Sequence, residues 1–123
     1  MKEVSYIHAE GYPAGEMKHG PIALVEEGLP VIFIATQDPF QHKVVSNMEE
    51  IKARKGKLIA ILTEGDTDTA NICDEVIYVP KVHPIVAPII NVIPTQLLAY
   101  YVGVAKGLDV DKPRNLAKSV TVE

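Results

Sequence analysis

Three runs along the chain are apolar without alternation: VIFIA (31–35), KLIAIL (57–62) and EVIYVP (75–80). Continuous, β-branched runs of this length predict parallel strands covered on both faces. Between the first two, the period lengthens to that of a helix. Phe40, Val44, Met48 and Ile51 fall on one helical face. Asp38 is placed to cap this helix, Pro39 to open it and Gln41 to complete a capping box. Gly56 closes it, after Lys52, Arg54 and Lys55 in the last turn. Before the first strand, KEVSYIHAE (2–10) predicts one or two helical turns, and AGEMKHGP (14–21) predicts a short helix closed by Gly20 and Pro21. A long helix is predicted over 85–105. The order of strands and helices gives an α/β layer fold with a parallel sheet flanked by helices.

The 85–105 stretch contains no charged residue and is long enough to cross a bilayer. Pro88, Asn91, Pro94, Thr95 and Gln96 interrupt it, and lipid tolerates such positions poorly. The expectation is a helix enclosed by protein, with no membrane partner. A second tension concerns the sheet. Three strands are few, since four to six are typical. The sheet is therefore expected to be incomplete in this chain, either as part of a larger domain or completed by association. A helix this apolar also predicts a homo-oligomer.

The totals narrow the function. A chain of 123 residues suits one core. The net charge of −4 and the lack of a basic patch argue against nucleic acid. A small anionic ligand would need local positive groups. The single cysteine, Cys73, excludes an internal disulfide, fits a reducing cytoplasm and reads as a small buried hydrophobe. No signal peptide is read. The glycines form no nucleotide loop, and the histidines at 8, 19, 42 and 83 lack metal-ligand spacing. Serines 5, 46 and 119 lie in no nucleophile elbow. TEGDTDTAN (63–71) carries Asp66 and Asp68, which read as turn and helix-cap residues. No metal and no organic cofactor is implied.

Two segments add chemistry: EVSYIHAEGYPAGEMKHGP (3–21) and GLDVDKPRNLAKSVTVE (107–123). Together, and with the strand spacing between them, they closely resemble the C-terminal end of the isomerizing glutamine–fructose-6-phosphate aminotransferases, the glucosamine-6-phosphate synthases. In that family the C-terminal half is an isomerase of two sugar-isomerase (SIS) domains, fed with ammonia by an N-terminal glutaminase. The resemblance implies a partial SIS domain over 1–111 and an active-site tail over 112–123. It implies that Glu3 moves a proton between C1 and C2 of the open-chain sugar. His19 would help open the ring and reach a neighbouring subunit's site. Lys118 would form a Schiff base with the ring-opened fructose phosphate. No catalytic role transfers to Glu10 or Glu16, which read as structural.

Ordinary chemistry accommodates these roles. Isomerisation next to a carbonyl needs a positioned base. An amine that attacks a carbonyl must shed its proton, against an ordinary lysine value of about 10.4. Histidine exchanges protons near neutrality. Without the resemblance, Glu3 reads as a solvated helix-end residue, His19 as a helix-terminal charge and Lys118 as a tail charge. The family's phosphate grip, a serine- and threonine-rich loop at a helix N-terminus, belongs to the first SIS domain and has no counterpart here. The expected partners are fructose 6-phosphate, glucosamine 6-phosphate, and the first SIS and glutaminase domains. The chain alone is expected to be inactive. The competing reading is a non-catalytic SIS module for sugar-phosphate binding or dimerisation, or an interaction fragment that pairs through apolar surfaces.

Overall fold

The computed structural model describes residues 1–115; residues 116–123, Lys118 among them, lie outside the described residues. Among the described residues, four α-helices and three strands are formed: α1 (Lys2–Ser5), β1 (Pro30–Ile34), α2 (Gln41–Ala53), β2 (Lys57–Thr63), α3 (Thr67–Ala70), β3 (Glu75–Val79) and α4 (Ala87–Ala105). Two short 3-10 helices, Ala14–His19 and Pro21–Leu24, precede β1. The strands lie parallel in the order β1-β2-β3, with Val31 beside Leu58 and Ala60 beside Val76. All three fall where the apolar runs predict them, and the α/β fold with a three-stranded parallel sheet is as expected.

The chain forms two compact units, one from Tyr12 to Val92, the other from Met1–Gly11 together with the chain from Ile93 onward. The larger unit holds the sheet. Phe33, Leu58, Ala60 and Leu62 turn one face of it onto Met48 and Ile51 of α2 and Met17 of the first 3-10 helix, and all are buried. The ends of α2 differ from expectation. The helix starts at Gln41, with no side-chain cap. Asp38 instead turns the chain before it, accepting from the Phe40 N–H at 2.5 Å. Gln41 makes no capping box, because its amide donates to the Ala35 carbonyl and to Asp66 at the sheet end. Phe40 is exposed beside the helix start rather than packed into the core. At the other end, Lys55 takes the left-handed position (φ 62°) expected of Gly56. Gly56 is needed for space: a Cβ there would lie 2.8 Å from Ile51 Cγ2 and 3.1 Å from Val25 Cγ1. Gly20 does end the first 3-10 helix, but Pro21 opens the second.

Two expectations of enclosure fail. The opposite face of the sheet carries Ile32, Ile34 and Ile77, and each is exposed. The long helix, expected to be buried all round, is only 11% buried over its apolar window. Ile89 and Tyr101 are 63% and 62% exposed. A three-stranded sheet with one long crossover helix has too little surface to cover both. By length and composition α4 could cross a membrane. Within the larger unit, however, Asn91 donates to Thr36, and within the smaller one Lys106, just past the helix end, donates to the Ser5 carbonyl. Both ends of the helix thus have polar protein partners.

Candidate active site

Glu3 lies in the only turn of α1, and its side chain is exposed. The turn is set by the Ser5 N–H donating to the Met1 carbonyl at 3.0 Å and by the Tyr6 N–H donating to Lys2 at 3.1 Å. Ser5 is buried, with its hydroxyl on the Met1 carbonyl at 2.7 Å. The carboxylate of Glu3 therefore projects from a short, anchored segment.

His19 belongs to the other unit. It is the last residue of the first 3-10 helix, exposed, next to the turn at Gly20 (φ 143°). Met17 pins this helix into the core, and Lys18 pairs with Glu50 of α2. His19 is thus an exposed imidazole on a fixed base. Glu3 and His19 belong to different units, and Lys118 lies outside the described residues.

The acidic connection 63–71 is used structurally, as the sequence suggests. Asp66 caps α3, accepting from the Thr69 N–H at 3.0 Å, and also accepts from Gln41. Around it is a recess of about 330 Å³ lined by Glu64, Asp66, Asp68 and Lys81 among others. Three carboxylates against one ammonium make it a poor place for a phosphate. A smaller recess of about 110 Å³ adjoins the carboxyl ends of the strands and is lined by Thr36, Thr63, Lys81 and Asn91 among others. The Gln37 N–H donates to the Thr63 hydroxyl at 2.9 Å, and the Asn91 amide donates to Thr36 at 3.0 Å. Ligands of open α/β sheets settle at this end of the strands. The sequence reasoning missed this polar cluster. The available signal was a threonine closing each of the first two apolar runs.

Cys73 is half-buried against the core, and its thiol donates to the Thr69 carbonyl at 3.2 Å. Burial pushes the thiol up from its ordinary value; Lys52 acts in the opposite direction, while Asp74 and Asp66 reinforce burial. It is a packing residue rather than a nucleophile.

Residues 1–106 match the SIS domain family, so the parallel sheet and its helices define a SIS domain. A solved structure described as the C-terminal domain of glucosamine-fructose-6-phosphate aminotransferase from Francisella tularensis superposes with a TM-score of 0.82 at 43% identity, covering 89% of this chain and 31% of that one. The glutamine–fructose-6-phosphate aminotransferase [isomerizing] of Thermus thermophilus is 63% identical over all 123 residues, 20% of its own length. A sequence of the same name from Sphingobium yanoikuyae is 59% identical over 124 aligned positions, covering all of this chain and 80% of that sequence. The chain belongs to the isomerizing glutamine–fructose-6-phosphate aminotransferase family. It spans about one fifth of the length of the Thermus thermophilus relative.

Proposed function

We propose that this chain is the C-terminal isomerase portion of an enzyme that makes glucosamine 6-phosphate from fructose 6-phosphate and glutamine. The observation that carries this reading is the identity of 63% running through the whole chain, both chemistry-bearing segments included. The relatives matched over that length carry the enzyme's name, so the non-catalytic SIS reading is not favoured.

Residues 1–111 form the partial SIS domain and 112–123 the active-site tail. His19 exchanges a proton with the ring oxygen as the sugar opens. The Lys118 amine adds to the C2 carbonyl and water leaves, giving the Schiff base. Ammonia from the glutaminase displaces the lysine at C2. Glu3 then removes a proton from C1 and returns one to C2, which leaves an aldehyde at C1 and the amine at C2. An exposed carboxylate and imidazole, each on an anchored base, are available for a substrate held by other portions of the enzyme. No phosphate grip is found among the described residues, which favours a sugar phosphate bound mainly outside this chain. The active form is a cytoplasmic homodimer.

The test is reconstitution. Mixing the chain with the first SIS and glutaminase portions yields aminosugar formation, and Glu3→Gln reduces it by at least roughly a hundredfold. A stable complex without activity, or full activity in the variant, refutes the assignment.

A further inference from the structure

Tyr6 closes α1 in the left-handed region, with φ 53° and ψ 35°. A bulky side chain is uncommon there, and such a conformation persists where surrounding contacts hold it. Besides the bond from the Tyr6 N–H to the Lys2 carbonyl, two contacts hold the Tyr6 side chain, and both come from Arg114. Its backbone N–H donates to the Tyr6 hydroxyl at 2.8 Å. Its guanidinium lies over the Tyr6 ring, with Cζ 4.1 Å from the centroid, inside the roughly 6 Å range of a cation–π contact. Main chain and side chain of one residue therefore grip one ring across 108 positions of sequence.

The rest of the smaller unit supports the same short helix. Lys106 donates to the Ser5 carbonyl at 2.6 Å. Gly103 lets the backbones close up: a Cβ on it would lie 3.0 Å from the Val4 carbonyl oxygen and 2.8 Å from Val110 Cγ1. Val4, Ser5 and Tyr6 are thus each fixed from the C-terminal side of the unit, at 103, 106 and 114. Glu3 is the next residue back. Lys118 is four residues beyond Arg114 in sequence, and four residues of chain reach at most about 14 Å.

We infer that Tyr6 and Arg114 are positioning residues. They form a clasp that fixes the helix carrying Glu3 against the chain at Arg114, four positions before Lys118 in sequence, and so holds the proton-moving carboxylate in place. This rests on the roles proposed above for Glu3 and Lys118. Loosening the clasp lets the carboxylate drift, and small misplacements of reacting groups cost large factors in rate.

The experiment is a double-mutant cycle in the intact enzyme that carries this segment. Tyr6→Ala and Arg114→Ala each lower kcat for aminosugar formation by roughly tenfold, with KM for fructose 6-phosphate changed by less than about twofold. The double variant is no worse than the lower single variant, because the two changes break one device. Tyr6→Phe keeps the stacked ring and recovers most of the loss. Single variants with unchanged kcat, or losses that multiply in the double variant, overturn the inference. Amide hydrogen exchange supplies a readout independent of activity. Arg114→Ala speeds exchange at Ser5 and Tyr6, and Tyr6→Phe speeds exchange at Arg114, by about fivefold. Unchanged exchange overturns the clasp itself, even if Tyr6→Ala fails to fold. If Glu3→Gln and Lys118→Ala leave activity intact, the assigned roles fail, while exchange still reports on the clasp alone.

Discussion

Glu3 and His19 show no local feature that marks them as catalytic. Each is an exposed residue near a helix end, a setting shared by many solvated side chains. The roles proposed for them came from the resemblance of whole segments and not from spacing, since neither residue lies in a local motif that marks chemistry. Asp66 was legible locally, since a cap is made within three residues. Gln41 was misread for the opposite reason: its amide reaches Ala35 and Asp66, contacts that exist only once β1 and β2 lie side by side. Cys73 offers a test at this scale. Its thiol is held above the ordinary value, chiefly by burial. The thiolate therefore forms only at higher pH, and iodoacetamide labels it more slowly at pH 8 than it labels a small free thiol. Urea removes the difference. The same shift contributes stability below the ordinary thiol value, and that contribution is lost as pH rises through the raised one. Labelling of the folded chain at the free-thiol rate would contradict this.

At the scale of elements, the three strands were legible from their unbroken β-branched apolar runs, although only the central strand is buried along most of its length. The α2 face was legible from Val44 to Ile51, while its ends were not. Helix ends are decided by which atoms meet them, as the close approach of Val25 and Ile51 to Gly56 illustrates. The stability of the larger unit rests on the layer between α2 and one face of the sheet. Leu62 is fully buried there, on the central strand. Leu62→Ala removes its transfer energy and leaves a cavity, and lowers unfolding stability by about 2–5 kcal/mol. Urea denaturation measures it. A loss below about 1 kcal/mol would show that this layer is not the stabilising core.

At the scale of the molecule, the expectation of a narrow, three-stranded sheet held and the expectation of an enclosed final helix did not. Among the described residues, apolar surface stays uncovered on both elements. Ile32, Ile34 and Ile77 on the sheet, and Ile89, Leu97, Tyr101 and Val104 on α4, remain exposed. Surfaces of that kind mark interfaces. The isolated chain is predicted to elute as an assembly larger than its 13.4 kDa mass, and Ile89→Ser with Tyr101→Ser to shift it toward the monomer. A monomer at every concentration would contradict this. The proposed chemistry belongs to the same scale, since under that proposal portions outside this chain hold the sugar. Its central claim is the covalent step at Lys118, and borohydride trapping tests it most directly. The assembly reconstituted with the missing portions is incubated with fructose 6-phosphate, reduced, digested and read by mass spectrometry. The account predicts one reduced hexose-phosphate adduct, on Lys118; an adduct on another lysine, or none in an assembly that forms glucosamine 6-phosphate, would contradict it.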